Sequence, residues 1–275
     1  DPRIEEVMNL LPGANCGGCG YPGCSGFAVA LVQGADKGDI SGLNCPPGGN
    51  DTMSEVGSYL GLEVEAAAPT TAVVRCGGSK ANAPVKLDYD GPSKCALAHT
   101  LFSGENGCPN GCMGLGDCVT VCDFDAIAID DETGLPVVIP EKCTSCGACV
   151  KACPRNIIEI RPRGRKERRV WVACMNQEKG GIARKNCKAA CIGCGKCYKA
   201  CPEKIQAITI ENNLAIIDAK KCIACGKCIL ECPTKAILAT FEPVKPKPKP
   251  KPAAPAATAK AEKSGKVEKK EEATT

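Results

Sequence analysis

The chain has 275 residues, 24 of them cysteine, beside four Phe, four Tyr, one Trp and one His, and a formal net charge of +4. A cysteine content above about 8% usually marks a disulfide scaffold in a short secreted chain, but this chain is too long for a mini-protein and opens with no signal peptide. The scarcity of aromatic residues excludes an ordinary aromatic-rich core. No run of about 18 apolar residues occurs, so the chain as given is expected to be soluble. It begins at Asp1 rather than Met, as expected of a chain that is processed, trimmed or lacking an upstream segment.

Twenty-four is six fours, and a [4Fe–4S] cluster takes four thiolates. The first four come early: Asn15-Cys16-Gly17-Gly18-Cys19-Gly20-Tyr21-Pro22-Gly23-Cys24, closed by Cys45 before Pro46-Pro47. Ser25 to Gln33 reads as a helix ending near Gly34, which returns the chain so that Cys16, Cys19, Cys24 and Cys45 form one self-contained set. This predicts a small helical domain over 1–64. A linker and strand/helix segment over 65–107 follows, carrying Cys76 and Cys95.

Residues 108–160 read as a first ferredoxin module. Cys108-x3-Cys112-x5-Cys118-x3-Cys122 is a stretched ligand run. Short strands at 126–129 and 136–139 flank a turn at 131–134, and then come Cys143, Cys146, Cys149 and Cys153-Pro154. That last run is C-x2-C-x2-C-x3-C-P, the run of bacterial two-cluster ferredoxins, whose fourth cysteine ligates the other cluster. The expected sets are Cys108, Cys112, Cys118, Cys153 and Cys143, Cys146, Cys149, Cys122. Asp123 stands where proline is usual.

Segment 161–187 carries Cys174 and Cys187, and its stretch 161–169 reads as a basic, solvated hairpin turn. Residues 188–242 form a second module with two full runs around a hairpin at 207–217. Its sets are Cys191, Cys194, Cys197, Cys232 and Cys222, Cys225, Cys228, Cys201. Gly147, Gly195 and Gly226 recur inside the runs, where the backbone must approach sulfur. Zinc sites use separated C-x2-C pairs rather than four cysteines so close together. By subtraction, Cys76, Cys95, Cys174 and Cys187 are expected to make a sixth set, the other reading being four buried free cysteines that pack as small hydrophobes. The stretches 73–76 and 170–174 look like strands ending in a cysteine, and side by side they would bring two thiols to one edge.

The tail, 243–275, alternates Lys with Pro and then becomes Ala-, Lys- and Glu-rich. It is expected to be extended and disordered, a solvated spacer. Six clusters at about −2 each with their thiolates would turn +4 into about −8, so the loaded protein is expected to be acidic, with ligand binding supplying much of its folding energy. No nucleic-acid motif accompanies the basic tail. His99, in a predicted helix, reads as structural, and Met113 and Trp171 as packing residues. No G-x-G-x-x-G follows a strand, which leaves NAD to a partner and no independent substrate chemistry to this chain. The fold class is therefore α+β: a small helical [4Fe–4S] domain, then two bacterial-type 2[4Fe–4S] ferredoxin modules.

The segments 1–7, 11–24 and 111–118, and the spacing Cys187-x3-Cys191-Ile192-Gly193-Cys194, resemble the RnfB family, the B subunits of the Rnf complex, over roughly residues 1 to 240. The Rnf complex is an ion-translocating ferredoxin:NAD oxidoreductase of bacteria and some archaea. The resemblance implies a non-catalytic iron–sulfur component at the cytoplasmic face of the cell membrane. It would take electrons from reduced ferredoxin, pass them to other subunits, and be anchored by a helix upstream of Asp1. Two other readings are open at this point. One is a soluble polyferredoxin serving a hydrogenase or reductase. The other is a corrinoid-linked iron–sulfur protein, because a similar first motif occurs alone in that class.

Overall fold

Residues 1–101 and 104–244 are described by the structure, a computed structural model. What the sequence predicts for the tail beyond residue 244 lies outside the described residues. Three helices open the chain: α1 (Pro2–Leu10), α2 (Gly23–Asp36) and α3 (Gly49–Leu60). Asp1 starts α1 because its carboxylate accepts the Arg3 N–H at 2.9 Å, and Pro2 supplies a preset φ. Phe27, Ala28, Leu31 and Val32 recur at helical spacing along α2. They are buried in one core with Val7 of α1 and Met53 and Val56 of α3. Helix α2 runs past the expected stop at Gly34. A Cβ at residue 34 would sit 2.9 Å from the Asp39 carbonyl oxygen, so this glycine serves the returning chain, and the left-handed turn falls at Gly38.

Then come β1 (Thr70–Val74) and α4 (Cys95–Leu101), with His99 exposed on α4. A first αββαβ unit follows: α5 (Asp117–Thr120), β2 (Ile127–Ile129), β3 (Pro136–Val138), α6 (Ala148–Ala152) and β4 (Ile158–Pro162). After β5 (Val170–Val172) and α7 (Gly180–Asn186), the same order repeats. It runs α8 (Lys196–Ala200), β6 (Ile208–Glu211), β7 (Leu214–Ile217), α9 (Lys227–Leu230) and β8 (Ile237–Ala239). Each of the four short helices starts after a left-handed glycine, Gly116, Gly147, Gly195 or Gly226, a backbone state that excludes most side chains. The two hairpins form where predicted, with Ile127 opposite Val138 and Ile208 opposite Ile217. Asn212 and Asn213 make the second turn at positive φ.

Two expectations are corrected. The strands leading to Cys76 and Cys174 do not pair with each other. Antiparallel β1 pairs with β4 (Thr70 opposite Pro162), and β5 pairs with β8 (Val170 opposite Ala239), so each covers the open edge of the last strand of a unit. The ends of β1 and β5 still meet: the Trp171 indole donates to the Val74 carbonyl at 3.0 Å, and the Gly77 N–H donates to that of Ala173 at 2.8 Å.

The stretch 161–169 is a crossover between sheets rather than a hairpin; its tip, 164–167, is exposed as expected, but Arg161 and Arg169 at its ends are buried. Arg161, only 6% exposed, donates to the carbonyls of Val170 at 3.1 Å and Ile217 at 2.9 Å. Arg168 lies over the Phe241 ring, 3.8 Å from its centre. Where β4 and β5 part into different sheets, carbonyls need donors, and a guanidinium reaches several at once. Among the described residues no helix is long and apolar enough to cross a membrane.

Candidate functional site

All 24 cysteines are free thiols, and their neighbours divide them into six tetrads. The N-terminal tetrad is the predicted one. Burial pushes the Cys45 thiol up, and Cys24, Cys19 and Cys16 add to the effect. Asn15 shapes that loop from a left-handed conformation (φ 48°), its side-chain oxygen accepting the Cys24 N–H at 2.8 Å. Cys122, Cys143, Cys146 and Cys149 line a second site, where burial and then Cys143 and Cys146 drive Cys149 up to about 12. Asp123 in place of proline leaves this site intact. The Ala126 N–H meets Cys122 Sγ at 3.4 Å, matching the Ala236 N–H on Cys232 Sγ at 3.3 Å in the second unit. Cys191, Cys194, Cys197 and Cys232 line a third. Cys222, Cys225, Cys228 and Cys201 group as the fourth, with burial and then Cys222 and Cys225 pushing Cys228 up to about 12.

The remaining two tetrads depart from the spacing by one exchange. Cys95, Cys112, Cys118 and Cys153 line one site; Cys76, Cys108, Cys174 and Cys187 line the other. Cys95 and Cys108 have thus traded the places expected of them, and local hydrogen bonds explain why. The Asp117 carboxylate accepts the N–H groups of Cys95 at 2.9 Å and Ala96 at 3.0 Å, which docks the start of α4 beside Cys118. Buried Asn176 donates its side-chain amide to Cys108 Sγ at 3.5 Å and its backbone N–H to Cys174 Sγ at 3.5 Å, drawing Cys108 to the other side. Asp117 sits in the spacer before Cys118 and Asn176 lies outside every ligand run, and since neither is a cysteine, ligand spacing gave no signal for them.

Four of the tetrads line small pockets of about 20 Å³ each. Among the described residues no three His, Cys, Asp or Glu side chains converge as one bound ion requires. The thiols therefore ring a space, whereas tetrahedral zinc draws its sulfurs to about 2.3 Å from a single point. Polar groups point at these sulfurs. Burial pushes Cys143 up, yet the Ala72 N–H at 3.5 Å and the hydroxyls of Thr71 and Ser145 outweigh it and hold the thiol below its ordinary value. Those two hydroxyls lie short of full hydrogen-bond geometry and have no other partner. Buried donors without acceptors are costly, and sulfur-rich anions held by the tetrads would accept from them. The sites fit [4Fe–4S] clusters.

Contacts between neighbouring tetrads link all six in series. Gly18 abuts the Cys146 backbone so closely that a Cβ there would lie 2.8 Å from Cys146 Cα. The Cys149 thiol feels Cys118 of the next set. The Cys112 N–H donates to Cys76 Sγ at 3.3 Å. Cys191 N–H donates to Cys174, and Cys197 acts on Cys228.

Comparison with known proteins adds the family. Residues 11–40 match a family described as an Fe-S cluster, 136–159 a 4Fe-4S binding domain and 186–239 a 4Fe-4S dicluster domain. The B subunit of the ion-translocating oxidoreductase complex of Methanosarcina acetivorans is 42% identical over 189 residues, 68% of either chain. The chain belongs to the B-subunit family of ion-translocating oxidoreductase complexes. The B subunit of the Na(+)-translocating ferredoxin:NAD(+) oxidoreductase complex of Acetobacterium woodii is 47% identical over 221 residues, 80% of this chain and 63% of the relative. The B subunit of the proton-translocating ferredoxin:NAD(+) oxidoreductase complex of Clostridium ljungdahlii is 38% identical over 79% of this chain and 74% of that one. This B-subunit family member thus spans about 63% of the length of its Acetobacterium relative. Its own matched regions carry an iron–sulfur segment followed by 4Fe–4S ferredoxin-type domains.

Proposed function

We propose that this chain is the iron–sulfur relay of a ferredoxin:NAD-type ion-translocating complex, with one [4Fe–4S] cluster held by each of its six tetrads and a two-cluster ferredoxin module formed by each αββαβ unit. Bound clusters would supply one-electron redox chemistry at low potential. The protein's part is to space them, exclude water and aim N–H and O–H donors at sulfur. The observation carrying this reading is the series of contacts that links the tetrads. It runs from Cys16/Cys19/Cys24/Cys45 through the Cys146, Cys118, Cys76 and Cys194 sets to the Cys225 set. Cys225 and Ile223 are exposed at the far end, Ile223 by 61%, with Lys220, Lys221 and Lys227 close by in sequence. Reduced ferredoxin is the donor in this reading, and the other subunits of the complex are the acceptors. The chain sits at the cytoplasmic face of the membrane. Catalysis belongs to the partner subunits in this reading.

The test is iron and sulfide analysis of anaerobically purified chain, with EPR of the reduced state. About 24 irons per chain are expected, about four per cluster. A value near 20 removes one cluster from the reading, and an iron-free, colourless protein refutes it. Reduced ferredoxin should bleach the visible absorbance. Failure to do so with full iron would reject the donor assignment.

A further inference from the structure

Arg155 follows Cys153-Pro154 and is only 8% exposed. Its Nη1 donates to the carbonyls of Cys108 at 2.9 Å and Gly111 at 2.6 Å, while Nε and Nη2 are buried with no hydrogen-bond partner. No ion pair joins it to a carboxylate among the described residues. A buried guanidinium left uncompensated is strongly destabilising, so its counter-charge has to lie nearby. Arg155 lines the site of Cys95, Cys112, Cys118 and Cys153, and it grips the backbone of Cys108 in the adjoining site. The left-handed Gly104 makes room: a Cβ there would come within 3.3 Å of Nη2.

The internal repeat supplies a control. The matching position after Cys232-Pro233 is Thr234, a neutral residue whose hydroxyl stands 3.8 Å from Cys232 Sγ. The two repeats share the αββαβ order and a Cys-Pro pair at this point, and differ here by one full positive charge.

We infer that Arg155 is the residue that sets the reduction potentials of the two central clusters, its free Nε–H and Nη2–H groups donating to sulfur and its charge favouring the reduced state. The inference rests on the cluster reading above. Reduction by a neighbouring reduced cluster moves one electron and no proton, taking a site with its four thiolates from about −2 to about −3. The guanidinium stays protonated throughout. At an effective dielectric near 20, a charge this close shifts a one-electron equilibrium by more than about tenfold, or about 59 mV for n = 1. Electrons arriving from either end would then be held at the centre of the series.

The experiment is an EPR-monitored redox titration of the full loaded chain and of Arg155→Gln and Arg155→Lys. With iron near wild type, Arg155→Gln should lower the midpoints of two clusters by at least the equivalent of tenfold and leave the others in place; Arg155→Lys should restore part of that. Thr234→Arg is the converse variant, expected to raise the midpoint of the Cys191/Cys194/Cys197/Cys232 cluster. If Arg155→Gln loses iron, Thr234→Arg decides alone. Unmoved midpoints at full iron in either variant overturn the inference, and iron loss in both does so too, by making the position a structural requirement. Iron analysis of the unmodified chain tests the cluster reading separately, so the two failures are distinguishable.

Discussion

The exchange of Cys95 and Cys108 between the central tetrads is open to a subtraction test. Replacing one ligand by alanine removes a quarter of a tetrad's thiolates and is expected to empty that site, so each single variant should fall from about 24 to about 20 irons. A second replacement in the same tetrad removes nothing further, whereas one in a different tetrad empties another site. Cys95 shares a site with Cys118, and Cys108 shares one with Cys76. The double variant Cys95→Ala/Cys118→Ala is therefore expected to stay near 20 irons, and Cys108→Ala/Cys118→Ala to fall to about 16. The grouping suggested by spacing predicts the reverse. The assay is iron per chain on anaerobically purified protein, with spin quantitation of the reduced state. Cys112 N–H donates to Cys76 Sγ at 3.3 Å, so losing one central site disturbs the other, and Cys76→Ala/Cys108→Ala serves as the matched control at about 20 irons. If Cys108→Ala/Cys118→Ala keeps about 20 irons while Cys95→Ala/Cys118→Ala drops to about 16, the geometric assignment is wrong.

Three further outcomes are expected. Gly18→Val pushes a side chain into the Cys146 backbone, a strain of about 1–3 kcal/mol at that contact; iron content should hold while electron passage out of the N-terminal site slows in stopped-flow reduction, and unchanged kinetics would count against that link. Arg161→Ala strands the Val170 and Ile217 carbonyls, at about 1–3 kcal/mol each, which denaturant unfolding should register as a lower midpoint. Phe27→Ala opens the three-helix core where Phe27 is 1% exposed, at about 3–5 kcal/mol, and should release iron from the N-terminal site alone.

Ligand runs are legible because iron–sulfur coordination forces several cysteines into one loop, and the left-handed glycines between them leave a mark as plain as the cysteines. The four sets containing Cys16, Cys146, Cys194 and Cys225 came from that local rule. Hairpins were legible for a similar reason, since alternating apolar residues flank turn formers such as Asn212-Asn213. Strand partners were not. Nothing local in Thr70–Val74 says that it pairs with Ile158–Pro162 rather than with Val170–Val172, because an edge strand is chosen by whichever unit leaves an edge open. The same limit hid the membership of Cys95 and Cys108, which Asp117 and Asn176 decide across 22 and 68 residues of chain. It also made the whole of 161–169 look solvated, since charge pattern alone cannot reveal that Arg161 finds carbonyls in two other strands while only 164–167 stay exposed.

The order of the tetrads has a consequence for assembly. The first set and the last two draw on shorter stretches, residues 16–45, 191–232 and 201–228, while the Cys76 set needs residues 76, 108, 174 and 187, drawn from both sides of the first αββαβ unit. Closing the longer loops is inexpensive at equilibrium, about 0.6 kcal/mol for each doubling of length, but long-range contacts form slowly. The terminal sites are therefore expected to be complete before the central pair, and the central pair only once both units and the β1 and β5 strands are in place. A partly assembled chain then carries two separate ends with no bridge between them. Continuity of the relay becomes a property of the finished fold, held at its midpoint by Asp117, Asn176 and Arg155 rather than by any cysteine motif.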